Sequence, residues 1–523
     1  MQTAERLSEL LASHGVHEIF GNPGTTELPF LEGATHQRYY LTLHDAIAVG
    51  AADGFAQAGR APAVANLHAS PGLGNSIGFI DTAARNHTPL VLTVGQQDLR
   101  HASLRPLLYG DMGARVAGLV KFFHEVRRPS ELGPAVDRAF RVALEPPMGP
   151  TLLSLPMDVM EAPAEEGPAE RASGVSREAF DDVRAVAERM RSAQRLALVV
   201  GYEVDLFEAF DEVRELATRT GAPVYAEPIC SRSPVPEDLA GFVGDLLPST
   251  AMIDSVLVEH DLVALVGADL TVYPYSAAPL RSGHSLVYLG ADPSVPEKLG
   301  CPRAVGNLRE VLRRLLAEIP PGTRSFHRSP DLGRANRIAR AEGRMGAEYV
   351  VDAVRRAFRG YTVVDESVSF IPTMKSAGFY AGPLSYFSSR SQQLGWGLAA
   401  AIGVALRRPK TVVVLGDGAL QYSVQALWTL ARYRIPAKLV VVNNGGYSIL
   451  KSYAKANHPA LARAEFLEVP GVDVPGLARA FGLPASTVGS PSGLDGALTE
   501  LERAEGPALL NIEVDRTVPD LFS

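Results

Sequence analysis

Apolar residues in this chain fall into two alternating patterns: short unbroken runs, and longer stretches in which they recur every three or four positions. The first pattern marks buried parallel strands and the second amphipathic helices. Leu7, Leu10 and Leu11 predict an opening helix closed near Gly15, followed by a short strand at Glu18-Ile19-Phe20. Leu41 to Asp45 predicts the end of a second strand, with a helix of small residues over 46–58 behind it. Further strands are predicted at 63–68, 89–95 and 151–156, then at 196–200, 262–266 and 286–289, and finally at 362–365, 412–415 and 439–442. Strands alternating with helices predict an α/β fold of three doubly wound parallel-sheet domains. Two stretches, 161–177 and 320–336, carry proline, glycine, alanine and charge without either period and read as linkers. The domains they separate are 1–165, 178–325 and 340–523. Alanines with Gly50 and Gly54 on one face of the 46–58 helix predict close approach of a second helix, which suits a subunit interface.

Composition narrows the class. With 523 residues and 46% hydrophobic content the chain has room for about three domains. A net charge of −8 argues against nucleic acid and anionic membrane as partners. Cys230 and Cys301 are the only cysteines and have no metal-ligand spacing, so neither a disulfide framework nor a zinc site is implied. The N-terminal residues form a charged amphipathic helix rather than a signal peptide, and no apolar run approaches the roughly 20 residues of a membrane span. The expectation is a cytoplasmic protein.

Candidate chemistry is densest between Thr411 and Leu450. A strand at Val412–Leu415 runs into Gly416-Asp417-Gly418; a helix is predicted through Val424, Leu427, Trp428 and Leu430, ending before Pro436. A second strand then ends in Asn443-Asn444-Gly445-Gly446. This βαβ unit puts polar oxygens at the carboxyl ends of two strands, where open α/β sheets bind ligands. The Asp417 carboxylate, the Asn444 amide oxygen and the Gly446 carbonyl make a donor set for a hard cation, Mg²⁺ or Ca²⁺, holding a diphosphate. The glycines let the backbone approach phosphate, and the helix after Gly418 is expected to aim its N–H groups at it. Gly72-Leu73-Gly74-Asn75, between a strand and a helix, is a weak dinucleotide signal, because the third glycine, Gly78, comes one residue too late.

The Gly-Asp-Gly and Asn-Asn pairing, with 27 residues from Gly416 to Asn443, resembles the thiamine-diphosphate (ThDP) motif of the pyruvate-decarboxylase-like enzymes. The resemblance extends over nearly the whole chain. Through GNPGTTELPF, NLHASPGLGN, VGQQ and NNGGYSIL it is nearest to the benzoylformate decarboxylase branch. It implies pyrimidine-binding, central and diphosphate-binding domains, ThDP with Mg²⁺ (or Ca²⁺), and non-oxidative decarboxylation of a small 2-oxo acid, aryl or bulky. Two other outcomes stay open: a carboligase that gives the same activated carbon to an aldehyde or a second oxo acid, and a non-catalytic binding or assembly subunit of the same fold. A FAD-containing synthase resembling acetolactate synthase is a further variant. The family's geometry implies a homodimer at minimum, and a homotetramer.

Residue by residue, the resemblance makes Asp45, His68 and Thr25 catalytic. Asp45 stands where most members carry a glutamate that bonds the aminopyrimidine N1′. One methylene fewer means roughly 1.5 Å less reach. Read alone, Asp45 is equally a cap on the following helix, and His68 equally a satisfied strand-end histidine. As a catalytic group His68 would move protons near neutrality. Thr25 keeps the hydroxyl of the family's serine for a substrate contact; read alone, Thr25 or Thr26 caps the next helix. The family's second active-centre histidine aligns with Pro274, between Tyr273 and Tyr275, and a proline has no proton to exchange. Cofactor contacts are implied for Asn22, Pro23, Gly24, Val368, Ser369, Gln392, Leu394, Gly416, Gly418, Ala419 and Tyr447. Of these, Leu394 would hold the bent cofactor and the Gln392 carbonyl would accept from its 4′-amino group. Leu108, Leu450 and Tyr453, with Thr25 and His68, would line the substrate side; helix packing is the other reading of 447, 450 and 453.

Overall fold

The computed structural model describes residues 1–165, 182–236, 238–272, 283–322, 345–379, 382–519 and 521. It contains three six-stranded sheets, parallel throughout. The first is built from β1 (Glu18–Gly21), β2 (Arg38–Leu41), β3 (Ala63–Leu67), β4 (Leu90–Gln96), β5 (Phe123–Glu125) and β6 (Thr151–Pro156), in the order β2-β1-β3-β4-β6-β5. The central sheet has β7 (Leu196–Val200), β8 (Val224–Ala226), β9 (Phe242–Asp245), β10 (Leu262–Val266), β11 (Leu286–Gly290) and β12 (Arg303–Val305), ordered β12-β11-β10-β7-β8-β9. The third has β13 (Thr362–Glu366), β14 (Tyr386–Ser388), β15 (Thr411–Gly416), β16 (Ala437–Asn443), β17 (Ala485–Val488) and β18 (Ala508–Glu513), ordered β14-β13-β15-β16-β18-β17. Counted within each unit, the first and third sheets share one strand order, 2-1-3-4-6-5. The central sheet follows the doubly wound order 3-2-1-4-5-6. β3, β4, β7, β10 and β13 are buried along their whole length, and β7 and β10 accordingly read as unbroken apolar runs.

Several elements differ from the sequence expectation. The second strand ends at Leu41, because Asp45 already opens the helix Asp45–Gly59 and His44 caps it: the His44 Nδ1 accepts from the Ala46 N–H at 3.2 Å. Gly72–Asn75 lies inside the helix Ala69–Arg85 rather than in a loop ahead of it. The helix after Gly418 is broken in two, Asp417–Gln421 and Ala426–Arg432. Between them Ser423 turns inward, and its hydroxyl donates to the Gly395 carbonyl at 2.7 Å. A single helical turn adds little dipole at its N-terminus, so the expected phosphate attraction there reduces to individual N–H groups.

The small-residue helix finds its partner within the same chain rather than in another subunit. It packs on the helix Trp396–Arg407 of the third unit, so closely that a Cβ on Gly54 would stand 2.2 Å from the Ala400 carbonyl oxygen. The contact is fastened by a buried carboxylate: Asp53 accepts from the Trp396 indole N–H at 2.7 Å and from Thr88, Gln57 and Asn86. One apolar core therefore runs from the first sheet through these two helices into the third. Most of both expected linkers, and Tyr273, Pro274 and Tyr275, lie outside the described residues.

Candidate active site

At the carboxyl ends of β1 and β3 the chain brings Asn22, Pro23, Gly24, Thr25, Asp45 and His68 into one region. Gly24 starts a single 3-10 turn, Thr25–Glu27, and the Gly24 N–H is held by the Glu27 carboxylate at 2.8 Å. Neither Thr25 nor Thr26 is the cap that the sequence had offered. Thr25 is exposed, whereas Thr26 is buried and donates to the Glu27 Oε1 at 2.7 Å.

Asp45 is buried and does not cap its own helix. Its Oδ1 accepts the His68 backbone N–H at 2.9 Å, and its Oδ2 accepts from the Asn22 side chain at 3.1 Å. It thereby ties the ends of β1 and β3 together. Beside it lies a residue that the sequence reading passed over. Glu27 is 1% exposed, and its Oε2 sits 2.7 Å from the His68 Nδ1. A carboxylate at that distance keeps the ring proton on Nδ1 and leaves Nε2 as the atom free to exchange protons. Glu27 Oε1 also accepts the Ala69 N–H at 3.2 Å, at a residue held at φ 46°, in the left-handed region. Strain of this kind collects at functional sites.

The glycines of this region are placed by these side chains. A Cβ on Gly24 would overlap the His68 ring (2.0 Å), one on Gly95 would overlap Glu27 Oε1 (1.9 Å), and one on Gly72 would crowd Asp45 Oδ1 (2.4 Å). The glycines of GNPG, VGQQ and GLGN thus make room for the three acids and bases. Beneath them Tyr39 donates to Asn66 (3.1 Å) and Asn66 to Thr93 (3.0 Å). Burial, then the Glu27 and Asp45 charges, push the Tyr39 hydroxyl well above its usual range, so it stays a neutral donor.

The second cluster lies at the carboxyl ends of β13, β15 and β16. β15 ends at Gly416 and runs into Asp417, Gly418 and Ala419, and Asn444, Gly446 and Tyr447 follow β16, whose Val442 pairs with Gly416. Burial pushes the Asp417 carboxyl up, against the N–H groups of Asp417, Asn444, Gly418 and Gly445, which favour its charge. Asn444 Oδ1 accepts the Gly446 N–H at 3.1 Å, and the loop is pinned from outside by Tyr447 N–H to the Leu467 carbonyl (2.8 Å) and Val469 N–H to the Gly445 carbonyl (2.9 Å). Among the described residues no three His, Cys, Asp or Glu converge on one point. A cation here would rest on one carboxylate with amide and carbonyl oxygens, the donor chemistry of Mg²⁺ or Ca²⁺. The Tyr447 ring packs on Gly418, 3.0 Å from where a Cβ would stand. Ser369, half-buried, makes no protein hydrogen bond among the described residues and follows Val368, whose φ is 52°.

Gln392 (φ 57°) and Leu394 precede the helix Trp396–Arg407; Leu394 is only half-buried, outside the apolar core. A cavity of about 580 Å³ is lined by Asp417, Asn443, Gly445, Val469 and Arg516. Leu108 (44%) and Leu450 (48%) are exposed; Leu450 and Tyr453 lie on the helix Ser448–Asn457, and Tyr453 is half-buried. No hydrogen bond or ion pair among the described residues joins Asp45, His68 or Glu27 to Asp417, Asn444 or Tyr447.

A second missed acid is Glu366, at the end of β13. It is buried, and that burial pushes its carboxyl up to about 8, against the N–H groups of Gly397, Gly395 and Leu398. Both misses carried a signal. Glu27 stands three residues after Gly24, the spacing of a capping box, and Glu366 follows Asp365 at the end of a strand buried along its whole length.

The chain is similar to known proteins along nearly its whole length. Residues 1–117 match the N-terminal TPP binding domain of thiamine pyrophosphate enzymes, 183–315 their central domain and 373–512 their C-terminal TPP binding domain. Thiamine pyrophosphate is ThDP under another name. The chain is 34% identical to a benzoylformate decarboxylase of Pseudomonas aeruginosa, over 99% of this chain and all of that one. It is 26% identical to an acetolactate synthase of Arthrospira platensis, over 98% of this chain and 93% of that one. Among solved structures it is similar to a ThDP-dependent 4-hydroxybenzoylformate decarboxylase of Rhodococcus jostii RHA1, with a TM-score of 0.92 and 29% identity over 99% of this chain and 100% of that one.

Proposed function

The chain belongs to the thiamine pyrophosphate enzymes, and we propose that it is a ThDP- and Mg²⁺-dependent decarboxylase of a 2-oxo acid with an aryl or bulky substituent. The observation that carries this reading is the pairing of the buried Glu27 with the half-buried His68 (2.7 Å) beside Asp45, at the strand ends of a unit matching the N-terminal TPP domain. The relatives named for benzoylformate and 4-hydroxybenzoylformate support the substrate class.

In this reading Asp417, Asn444 and the Gly446 carbonyl hold the cation. Ser369, Val368, Gly416, Gly418, Ala419 and Tyr447 surround the diphosphate, while Gln392, Leu394 and the Asn22–Gly24 turn meet the rings. The bound cofactor supplies a carbon nucleophile and an electron sink. Asp45 orients the aminopyrimidine while holding the His68 backbone in place. His68 exchanges a proton at Nε2, with Glu27 fixing its ring. Thr25, exposed at the mouth, offers its hydroxyl to the substrate carboxylate, and Leu108, Leu450 and Tyr453 give the apolar wall for the substituent.

The reading includes a homodimer, and from it a homotetramer, in which the Asp45 side of one copy faces the Asp417 side of the next. Exposed Leu28 (58%), Leu107 (88%) and Phe466 (66%) are apolar surface for such a contact. The domains proposed remain 1–165, 178–325 and 340–523, in a protein working in the cytoplasm. No helix of the described residues is long and apolar enough to cross a membrane.

A second reading, carboligation, is favoured by the full-length likeness to acetolactate synthase. One experiment separates the two. The purified protein with ThDP and Mg²⁺ is incubated with benzoylformate, pyruvate and branched 2-oxo acids, with and without benzaldehyde, and the products are followed by NMR. Aldehyde release, fastest from benzoylformate, is the expected result. Acyloin formed only when an acceptor is present would establish the carboligase, and no turnover with ThDP bound would overturn both.

A further inference from the structure

Glu366 sits where two segments of the third unit meet. Along the chain it leads directly into the turn that carries Val368 and Ser369. Across space its carboxylate reaches the segment that carries Gln392 and Leu394: Oε1 accepts the Gly395 N–H and Oε2 the Gly397 N–H at 2.9 Å. The far segment is shaped to receive it. Gly395 is held at φ 89°, its carbonyl is taken by the Ser423 hydroxyl at 2.7 Å, and a Cβ on Gly397 would stand 2.7 Å from the Glu366 Cβ. A buried carboxyl group is costly to keep unless its bonds are well made. These bonds join a turn beside the diphosphate loops to a half-buried leucine that belongs to no core cluster.

We propose that Glu366 is a positioning residue, a strut that sets the distance between the Ser369 turn and Leu394 and so imposes the bend on bound ThDP. The proposal rests on the cofactor reading above. A residue that only capped the helix Trp396–Arg407 would stabilise the fold without distinguishing one part of the cofactor from another. A strut has a different signature. Its loss spares ligands that occupy the diphosphate side alone and weakens those that must reach both sides.

Calorimetric titration of the full-length protein with Mg²⁺–pyrophosphate and with Mg²⁺–ThDP reads this difference directly, without turnover. In Glu366→Gln the pyrophosphate affinity should stay within about threefold of the parent, while ThDP binding weakens by about tenfold, the scale of one buried hydrogen bond. The circular-dichroism signal of bound ThDP should change with it. Ser423→Ala loosens Gly395 from its other side and should give the same split at smaller size, which keeps the test open if the Glu366 variant fails to fold. Parallel loss of both ligands, or unchanged ThDP affinity, would overturn the strut alone. A parent protein that binds pyrophosphate but no ThDP would overturn the cofactor reading and the strut with it.

Discussion

Asp45 holds the His68 amide with one oxygen and the Asn22 side chain with the other, and its Oδ1 lies 2.4 Å from where a Cβ on Gly72 would stand. The shorter acid is therefore built into its surroundings, since both oxygens are engaged and the helix backbone at Gly72 closes the space beside them. Lengthening it to glutamate would move the carboxylate by roughly 1.5 Å and break both bonds. Asp45→Glu is accordingly expected to lower kcat/KM by about 10²-fold, the cost of a misplacement of about 1 Å at a reacting centre. Kinetics on the 2-oxo acid turned over, with a thermal melt to show that the fold survives, would check this. A gain in activity would mean that the short side chain limits cofactor activation. At this scale the motifs point to Asp45, His68 and Asp417, because their residue types are those of acid–base and metal-binding chemistry. Glu27 escaped notice because its role exists only through a contact across 41 residues. The sequence carries the glycines that make that contact possible, but not which side chain each one admits.

Between elements, the crossing of the helices Asp45–Gly59 and Trp396–Arg407 sets how the first unit sits on the third. A Cβ on Gly403 would meet the Ala51 carbonyl oxygen at 2.0 Å and the Phe55 nitrogen at 2.3 Å, and both are backbone atoms that cannot turn aside. Alanine in a helix interior gains about 1 kcal/mol over glycine, whereas overpacking costs about 1–3 kcal/mol and more where backbone must shift. The second term wins at Gly403. Gly403→Ala should therefore lower the melting temperature, while Gly496→Ala, at an exposed position of the helix Pro491–Arg503 with nothing within 4 Å of the new carbon, should raise it slightly. Calorimetry on the two variants would decide it; a stabilised Gly403→Ala would mean that the helices part without penalty. The small-residue stripe was readable in the sequence, but its partner was not, because close approach is a property of two helices and the pattern shows only one. The break after Gln421 was hidden for a similar reason. The apolar spacing continues through it, and only the bond from Ser423 to Gly395 reveals why the helix stops.

Taken whole, the molecule joins its three units through buried charge as well as apolar contact. Asp205 of the central unit, fully buried, accepts from Arg232 beside it, from Arg60 of the first unit and from the Leu384 N–H of the third, each at 2.8 Å. A second junction centres on His87 of the first unit, held at φ 52° and stacked on Tyr202 of the central unit at 5.2 Å, with the Arg390 guanidinium of the third 4.2 Å from the same ring. Burial, then the Arg390 charge, lower the His87 pKa from 6.5 to about 4, while Asp292 at 3.7 Å, the Met148 backbone and Asp269 oppose the shift. The folded ring is thus neutral where the unfolded one takes up a proton. Its contribution is intact above pH 6.5 and is lost progressively as pH falls from 6.5 towards 4, up to about 3 kcal/mol. Glu203, pushed up to about 8 mainly by burial, acts in the opposite direction, because the folded state loses ground as pH rises from 4.5 to 8. The two slopes overlap, so the parent curve alone cannot isolate either. The informative quantity is the difference between the parent and His87→Asn, since asparagine tolerates the left-handed backbone but does not titrate. Melting temperatures measured in steps from pH 7 to pH 4 should show the variant offset downward at neutral pH, through loss of the stack on Tyr202, and the two curves converging as pH falls. Parallel curves would mean that the junction opens to solvent before His87 is protonated.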